Sequence, residues 1–248
     1  MEKNSTNRKK KKRKKKRYLL KFFIFIVLCT ALYLFLTSSL FDIQKIKVEN
    51  NNYYTSEQVI SIAKAKAGKN LFKVSTSDMK ERLLKDSYIK SVKVKRRLPD
   101  TIKIIVEERE EYAAIPYGEE YVIIDSEGMV LRKVSIEPKL TILLGMTVKN
   151  IDTGTPLEVE ENSLLTDTLS MLKKMEKYDL YFKKIDISNI IIKAYIYDQL
   201  ICEGTPENIL NNMETLQEVL YDYYSKGIKR GTIKVGADGY FAFSPLVE

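Results

Sequence analysis

The chain is predicted to be an α+β protein: a single N-terminal transmembrane helix, then a small βααββ domain, then a second β-rich α+β domain with two helices on an antiparallel sheet. Three observations predict it. An uncharged apolar run fills residues 22–41 directly after a basic block. Two capped amphipathic helices then stand between short alternating strands up to residue 111. Beyond residue 112 the apolar pattern has a period of two, broken by Asp, Gly and Gln turns and by two helical stripes.

The charge places the first segment. The 248 residues carry 42 Lys plus Arg against 33 Asp plus Glu, with two Cys and no His. Residues 1–21 hold 12 of those bases and one acid, which leaves 30 bases and 32 acids for the rest. The net +9 is therefore a basic tail on a mildly acidic body. Its centre is the unbroken run Arg8, Lys9, Lys10, Lys11, Lys12, Arg13, Lys14, Lys15, Lys16 and Arg17. The apolar surface that follows comes from Phe22, Phe23, Ile24, Phe25, Ile26, Val27, Leu28, Leu32, Leu34, Phe35, Leu36, Leu40 and Phe41. As a helix, a run of that length spans roughly 30 Å, the thickness of a bilayer core. Basic residues crowd one flank only, which holds residues 1–21 in the cytoplasm and sends Asp42 onward outside. A cleaved signal peptide is the competing reading, with Thr37, Ser38 and Ser39 as its small residues. Against it, the run exceeds the ~7 to 15 residues of an h-region and resumes at Leu40. The tail reads as a topology signal lying on anionic lipid. No nucleic-acid partner is expected, since no aromatics interleave with the bases.

The body opens with a short strand around Ile43, Ile46 and Val48. Thr55 with Gln58 forms a capping box, and Val59, Ile62, Ala63 and Ala67 recur at helical spacing until Gly68. Ser75 caps a second helix, with Asp78 at N3 and Val74 placed to staple onto Met79. Val92, Val94 and Arg96 alternate outward, Leu98-Pro99-Asp100 turns, and Ile102, Ile104 and Val106 alternate back. After residue 112 come a hairpin over 121–131 and a helix from Asn162 with Leu165, Leu169, Leu172 and Met175 in one stripe. Strands follow over 185–187, 190–197 and 200–203. Thr205 with Pro206 opens a long helix through Ile209, Met213, Leu216 and Leu220. Two last strands at 232–235 and 240–243 flank the turn Gly236–Gly239.

The chemistry expected of this chain is sparse. Without His there is no Ser-His-Asp or Cys-His pair and no His-based metal site, and no catalytic residue, cofactor or metal is expected. Four S-x-x-K matches begin at Ser61, Ser77, Ser87 and Ser170, the nucleophile spacing of penicillin-binding enzymes, but no S-D-N or K-T-G partner accompanies them. The pairs Glu107-Glu108, Glu110-Glu111 and Glu160-Glu161 read as solvated surface rather than a glycosidase dyad. Cys29 lies in the membrane run and Cys202 in a strand, so no disulfide staples the exported body. Tyr221, Tyr223 and Tyr224 either close the last helix over the sheet or meet a partner.

The stretch from Gly68 to Arg109 carries a recognisable set: Asn70-Leu71-Phe72, Tyr88-Ile89, Val92, Val94, Arg97-Leu98-Pro99-Asp100-Thr101 and Val106-Glu107-Glu108-Arg109. With the anchor before it and Ile124-Asp125-Ser126-Glu127-Gly128-Met129-Val130-Leu131 after it, the chain resembles the bacterial division-protein family FtsQ/DivIB with its POTRA domain. The glycine that relatives often carry before the first helix is Asn52 here. The resemblance implies segments at 1–21 (tail), 22–41 (membrane helix), 42–111 (POTRA), 112–243 (β domain) and 244–248 (C-terminal tail). It also implies a divisome scaffold at the septum whose partners are FtsB/DivIC-like and FtsL-like bitopic proteins and septal wall synthases. The alternatives kept beside it are a membrane-anchored wall enzyme and a POTRA-type transport accessory. The resemblance further implies that the terminal part of the second domain docks the partner, placed here at Arg230, Thr232, Ile233, Lys234 and Val235, taken as an open strand edge, with an interior strand as the alternative.

Overall fold

The computed structural model of the protein describes residues 3–246, with backbone alone for 3–17 and 238. The side chains of Arg8 to Arg17, to which topology and lipid contact were assigned, lie outside the described residues. The chain divides into two compact units. One combines the residues up to Leu83 with Ser91–Glu107, and the other combines Leu84–Lys90 with the residues from Glu108 on.

The first unit begins with α1 (Lys3–Leu36), whose stretch Tyr18–Leu36 is long and apolar enough to cross a membrane and contains no residue buried in the protein. The helix stops at Leu36, short of the expected end at Phe41. The reason is hydrogen bonding. Thr37 Oγ1 donates to Tyr33 O at 2.8 Å and Ser38 Oγ to Phe35 O at 2.7 Å, sharing those carbonyls with the Thr37 and Ser38 amides at 3.0 and 3.1 Å. The Ser38 amide reaches back three residues rather than four, the tightening typical of a last helical turn. Asn70 Nδ2 donates to Leu36 O at 3.0 Å and Ser38 O at 3.3 Å. Leu40 and Phe41, counted in the apolar run, belong instead to a 3₁₀ turn over Ser39–Phe41, where Leu40 is exposed and Phe41 is buried between Phe35 and Phe72.

Then follow β1 (Lys45–Glu49), α2 (Ser56–Ala63), α3 (Thr76–Leu84), β2 (Ile89–Arg97) and β3 (Thr101–Glu108), the βααββ order read from the sequence. The strands lie in the order β1-β3-β2, with β1 parallel to β3. Both helix starts form as their residues dictate. In α2 the Thr55 amide donates to Gln58 Oε1 at 2.8 Å while the Gln58 amide donates to Thr55 Oγ1 at 3.3 Å. In α3 the Asp78 amide donates to Ser75 Oγ at 3.1 Å. The apolar faces meet over wholly buried Ile43, Val59, Leu71, Leu83, Ile102 and Ile104, each worth about 1.5 to 3 kcal/mol of transfer from water.

The second unit is built on β4 (Ala113–Tyr117), β5 (Glu120–Ile124), β6 (Val130–Val134), β7 (Thr141–Leu144), a small ribbon of β8 (Val148–Asn150) and β9 (Glu158–Val159), α4 (Asn162–Met175), β10 (Lys184–Asp186), β11 (Ile192–Tyr197), β12 (Gln199–Gly204), α5 (Pro206–Asn211), α6 (Met213–Ser225), β13 (Arg230–Val235) and β14 (Phe241–Ser244). The main sheet runs β14-β13-β12-β11-β10-β7-β4-β5-β6. It is mixed rather than wholly antiparallel, because β4–β7, β7–β10 and β12–β13 are parallel. β4 and β7 carry little strand pattern of their own: β4 reads Ala-Ala-Ile-Pro-Tyr, and β7 is four residues without alternation. The long helix expected after Thr205 is two, because Asn212 leaves helical geometry (φ −118°, ψ 24°) and its side-chain amide donates to Asn208 O at 2.8 Å. The apolar stripe survives the break. Ile209, Met213 and Leu216 join Leu165 and Met171 of α4 against Leu143, Ile185, Ala194, Cys202 and Ile233 of the sheet.

Candidate functional site

Strand β13 is not an edge. It pairs with β12 on one side, Arg230 opposite Gln199, and with β14 on the other, Thr232 opposite Ser244 and Ile233 opposite Phe243. Ile233 and Val235 are buried in the helix-facing core, while Arg230 and Lys234 are exposed and Thr232 is half-buried. The docking edge expected at Thr232–Val235 is thus corrected to the interior strand kept as its alternative: at this end of the main sheet the outermost strand is β14, one strand further out. A period-two pattern identifies which face of a strand is buried but not which strand lies outermost.

The ends of the two sheets differ in how they are protected. At β6 the Val130 amide donates to Thr155 O at 2.9 Å, Val130 O accepts from the Gly154 amide at 2.8 Å, and Leu131 O accepts from the Ser87 hydroxyl at 2.8 Å. That edge is covered at Val130 and Leu131 and charged beyond them by Arg132 and Lys133. The edges of the three-stranded sheet are charged, with Lys45, Lys47 and Glu49 on β1 and Lys93, Lys95, Arg96 and Arg97 on β2. Lysine-rich edges resist strand addition. β14 reads Phe241-Ala242-Phe243-Ser244, without a charge.

Local chemistry seats β14. Gly231 on β13 adopts φ +135°, and a Cβ there would meet Phe243 Cε2 at 2.6 Å and Ser244 O at 2.8 Å. Only glycine admits that backbone geometry and that closeness. The Phe243 ring packs on Tyr223 of α6 with centroids 4.9 Å apart. Tyr221 and Tyr224, beside Tyr223 on the same helix, are exposed, as is Tyr240 just before the strand. Tyr223 therefore closes the helix onto the sheet, while Tyr221 and Tyr224 stay exposed. The Gly236 amide donates to Tyr240 O at 2.8 Å. By the alternation of an antiparallel ladder, the backbone groups of Phe241 and Phe243 then face away from β13, toward the open side.

A second polar cluster lies in the same unit, away from this edge. The Asp125 carboxylate accepts from the amides of Glu127 and Met129, both at 2.8 Å, and is paired with Arg109. Glu111 accepts from Tyr88 and Arg132. The Arg132 hydrogen bond, supported by Tyr88, holds the Glu111 carboxyl below its ordinary pKa, and Glu111 in turn raises Arg132. Because the folded pKa of Glu111 is depressed, its contribution is present above the unfolded value and lost as pH falls through the folded one. Arg132→Gln is expected to lower stability at neutral pH by about 1 kcal/mol or less, the pair being part-exposed. That gap should close in the acid range below the ordinary Glu pKa. Chemical denaturation across pH checks it, and a gap persisting at the acid end would contradict the pairing.

The remaining sequence candidates fall apart spatially. Ser61, Ser77 and Ser170 are exposed on three different helices, and Ser87 is bonded to Leu131. Cys202 is wholly buried in β12, where burial pushes its thiol up to about 12. Among the described residues no group of three His, Cys, Asp or Glu is placed to hold a metal.

Residues 41–109 match the POTRA domain, FtsQ-type. The chain is 32% identical over 196 residues to the cell division protein DivIB of Clostridium acetobutylicum, covering 78% of this chain and 79% of that one. It is 29% identical over 205 residues to DivIB of Clostridium botulinum, covering 80% of each. With the cell division protein FtsQ of Syntrophotalea carbinolica it shares 26% identity over 152 residues, which is 60% of this chain and 52% of that one. An apolar N-terminal helix, a βααββ unit matching the FtsQ-type POTRA domain and a β-rich unit beyond it, together with 32% identity over most of a DivIB chain, place this protein in the DivIB/FtsQ family of cell division proteins.

Proposed function

We propose that this chain is a single-pass, non-enzymatic scaffold of the divisome. It lies at the septum with its N-terminus in the cytoplasm, its basic tail on anionic lipid and its body outside, where 42–111 acts as the POTRA module and 112–243 as the docking domain. It binds FtsB/DivIC-like and FtsL-like bitopic proteins, and with them septal wall synthases, by accepting a partner strand on β14. The observation that carries the reading is the one uncharged, uncovered strand edge among the described residues, Phe241–Ser244, flanked by exposed Tyr221, Tyr224 and Tyr240. Backbone hydrogen bonds along such an edge supply affinity, and side chains beside it supply specificity. Arg230 and Lys234, exposed one strand in, supply the positive charge for acidic partner side chains.

Phe241 tests the edge. Phe241→Ala removes the ring and keeps the outward amide, whereas Phe241→Pro removes both. The proline variant is expected to bind the partner ectodomain at least about tenfold more weakly than the alanine variant, the worth of one backbone hydrogen bond plus the misfit of the ring. Equal affinities in two folded variants would remove β14 from consideration.

A further inference from the structure

Where α1 ends, the first unit contains a cleft of about 610 Å³. Thr37, directly after α1, and Asp42 form one wall, and the loop between α2 and α3 forms the other. Five cations line it, Lys64, Lys66, Lys69, Lys73 and Arg82, against two acids, Asp42 and Asp78. This is a local reversal of sign, since the body beyond residue 21 carries more acids than bases. Arg82 is anchored by its Nε bond to Ala63 O at 3.1 Å. None of the four lysines forms an ion pair among the described residues. Four unpaired lysines converging on one concave space repel each other, an arrangement that an anion relieves.

The position of the cleft identifies the anion. The loop that carries these lysines is tied to the end of α1 by the Asn70 amide, which donates to Leu36 O and Ser38 O. The Phe35–Phe41–Phe72 edge-to-face stack, with centroids 5.3 and 5.2 Å apart, holds the same junction. Leu40 and Phe72 are exposed beside it. The mouth of the cleft therefore sits within about one helical turn of the end of the apolar segment, the level at which a bilayer presents its phosphates. Exposed Leu40 and Phe72 suit the glycerol and upper acyl region, and the lysines suit the phosphodiester above it.

We propose that this cleft binds the phosphate headgroup of an anionic phospholipid from the outer leaflet, seating the POTRA-type domain on the membrane surface. The proposal takes from the functional reading that α1 spans the bilayer with residues 1–21 in the cytoplasm. It concerns a lipid site on the opposite side of the membrane from the basic tail.

The test uses the full chain in nanodiscs of phosphatidylcholine with one third phosphatidylglycerol, read by native mass spectrometry as the excess of phosphatidylglycerol retained on the protein. The tail is identical in every form. Each lysine near an anionic surface contributes roughly fivefold. The triple change Lys66→Gln, Lys69→Gln, Lys73→Gln is therefore expected to cut the cleft's share of the excess, above the tail-bound background common to every form, by at least about tenfold. The corresponding Lys→Arg triple should retain it, as should Lys93→Gln with Lys95→Gln on β2. Equal retention in the Gln triple and the wild type would overturn the proposal, as would an equal loss in the β2 control. Displacement of the lipid by millimolar inorganic phosphate would assign the site to a free anion instead. Weakened binding of a partner ectodomain with lipid retention unchanged would assign it to an acidic protein. If no form, wild type included, entered nanodiscs, the membrane reading of α1 would fail and the cleft proposal with it.

Discussion

Replacing Gly231 with alanine is expected to unseat the last strand and to weaken partner-strand binding by at least about tenfold. Two costs act at one atom. The residue holds φ +135°, a region in which a side chain is strained by about 1 to 3 kcal/mol. The added Cβ would also lie 2.6 and 2.7 Å from two ring carbons of Phe243 and 2.8 Å from Ser244 O, and overpacking of that kind costs about 1 to 3 kcal/mol more. Phe243 and Ser244 belong to β14, so this cost falls on the seating of the edge strand. Limited proteolysis at 236–244 and a binding titration with the partner ectodomain report the two consequences separately. Adding Phe243→Ala should recover part of the strand's protection, because it removes the ring contacts while leaving the backbone contact and the strained φ. Undiminished protection and affinity in the single variant would mean that β14 is not seated through Gly231.

Arg109→Ala should destabilise the second unit by about 3 kcal/mol, the lower part of the range for removing one partner of a buried ion pair. The side chains of Arg109 and Asp125 are 12% and 6% exposed, so loss of the guanidinium leaves a carboxylate with little water around it. Two backbone amides still serve Asp125 Oδ1, which keeps the cost from being larger. In a unit of this size, 3 kcal/mol corresponds to a fall in Tm of roughly 6 to 12 °C. Asp125→Asn in the Arg109→Ala background should restore part of the loss, since it removes the stranded charge and keeps the acceptor. A double-mutant cycle measures this, and a single-variant loss under about 1 kcal/mol would show that the pair is not energetically buried.

Much of the first unit was legible from its residues because the signals are local. Thr55 with Gln58 and Ser75 with Asp78 each complete a cap within four residues, and Pro99-Asp100 turns a hairpin whose inward residues Ile102, Ile104 and Val106 are buried. The second unit was legible in part. Its hairpin over 121–131, the α4 stripe and the strands around Cys202 stand where periodicity places them. β4 and β7 escaped because proline, alanine and short length dilute their pattern, and each is held by a parallel neighbour distant in sequence. The break at Asn212 escaped because Met213 and Leu216 keep their helical spacing across it.

The candidate site divides along the same line. The sequence by itself determined the basic tail, the apolar run, the two helix caps and the hairpin turn. It also determined that Ile233 and Val235 share a face, because side chains alternate along any strand. Tertiary structure alone decided that β13 is interior and β14 outermost, that Gly231 touches Phe243, that Asp125 meets Arg109, and that Phe41 leaves the apolar run to join a domain core. The physical reason is common to all four. Caps, turns and periodicity are interactions between residues a few positions apart, whereas strand order and charge pairing depend on segments brought together only when the chain closes on its core.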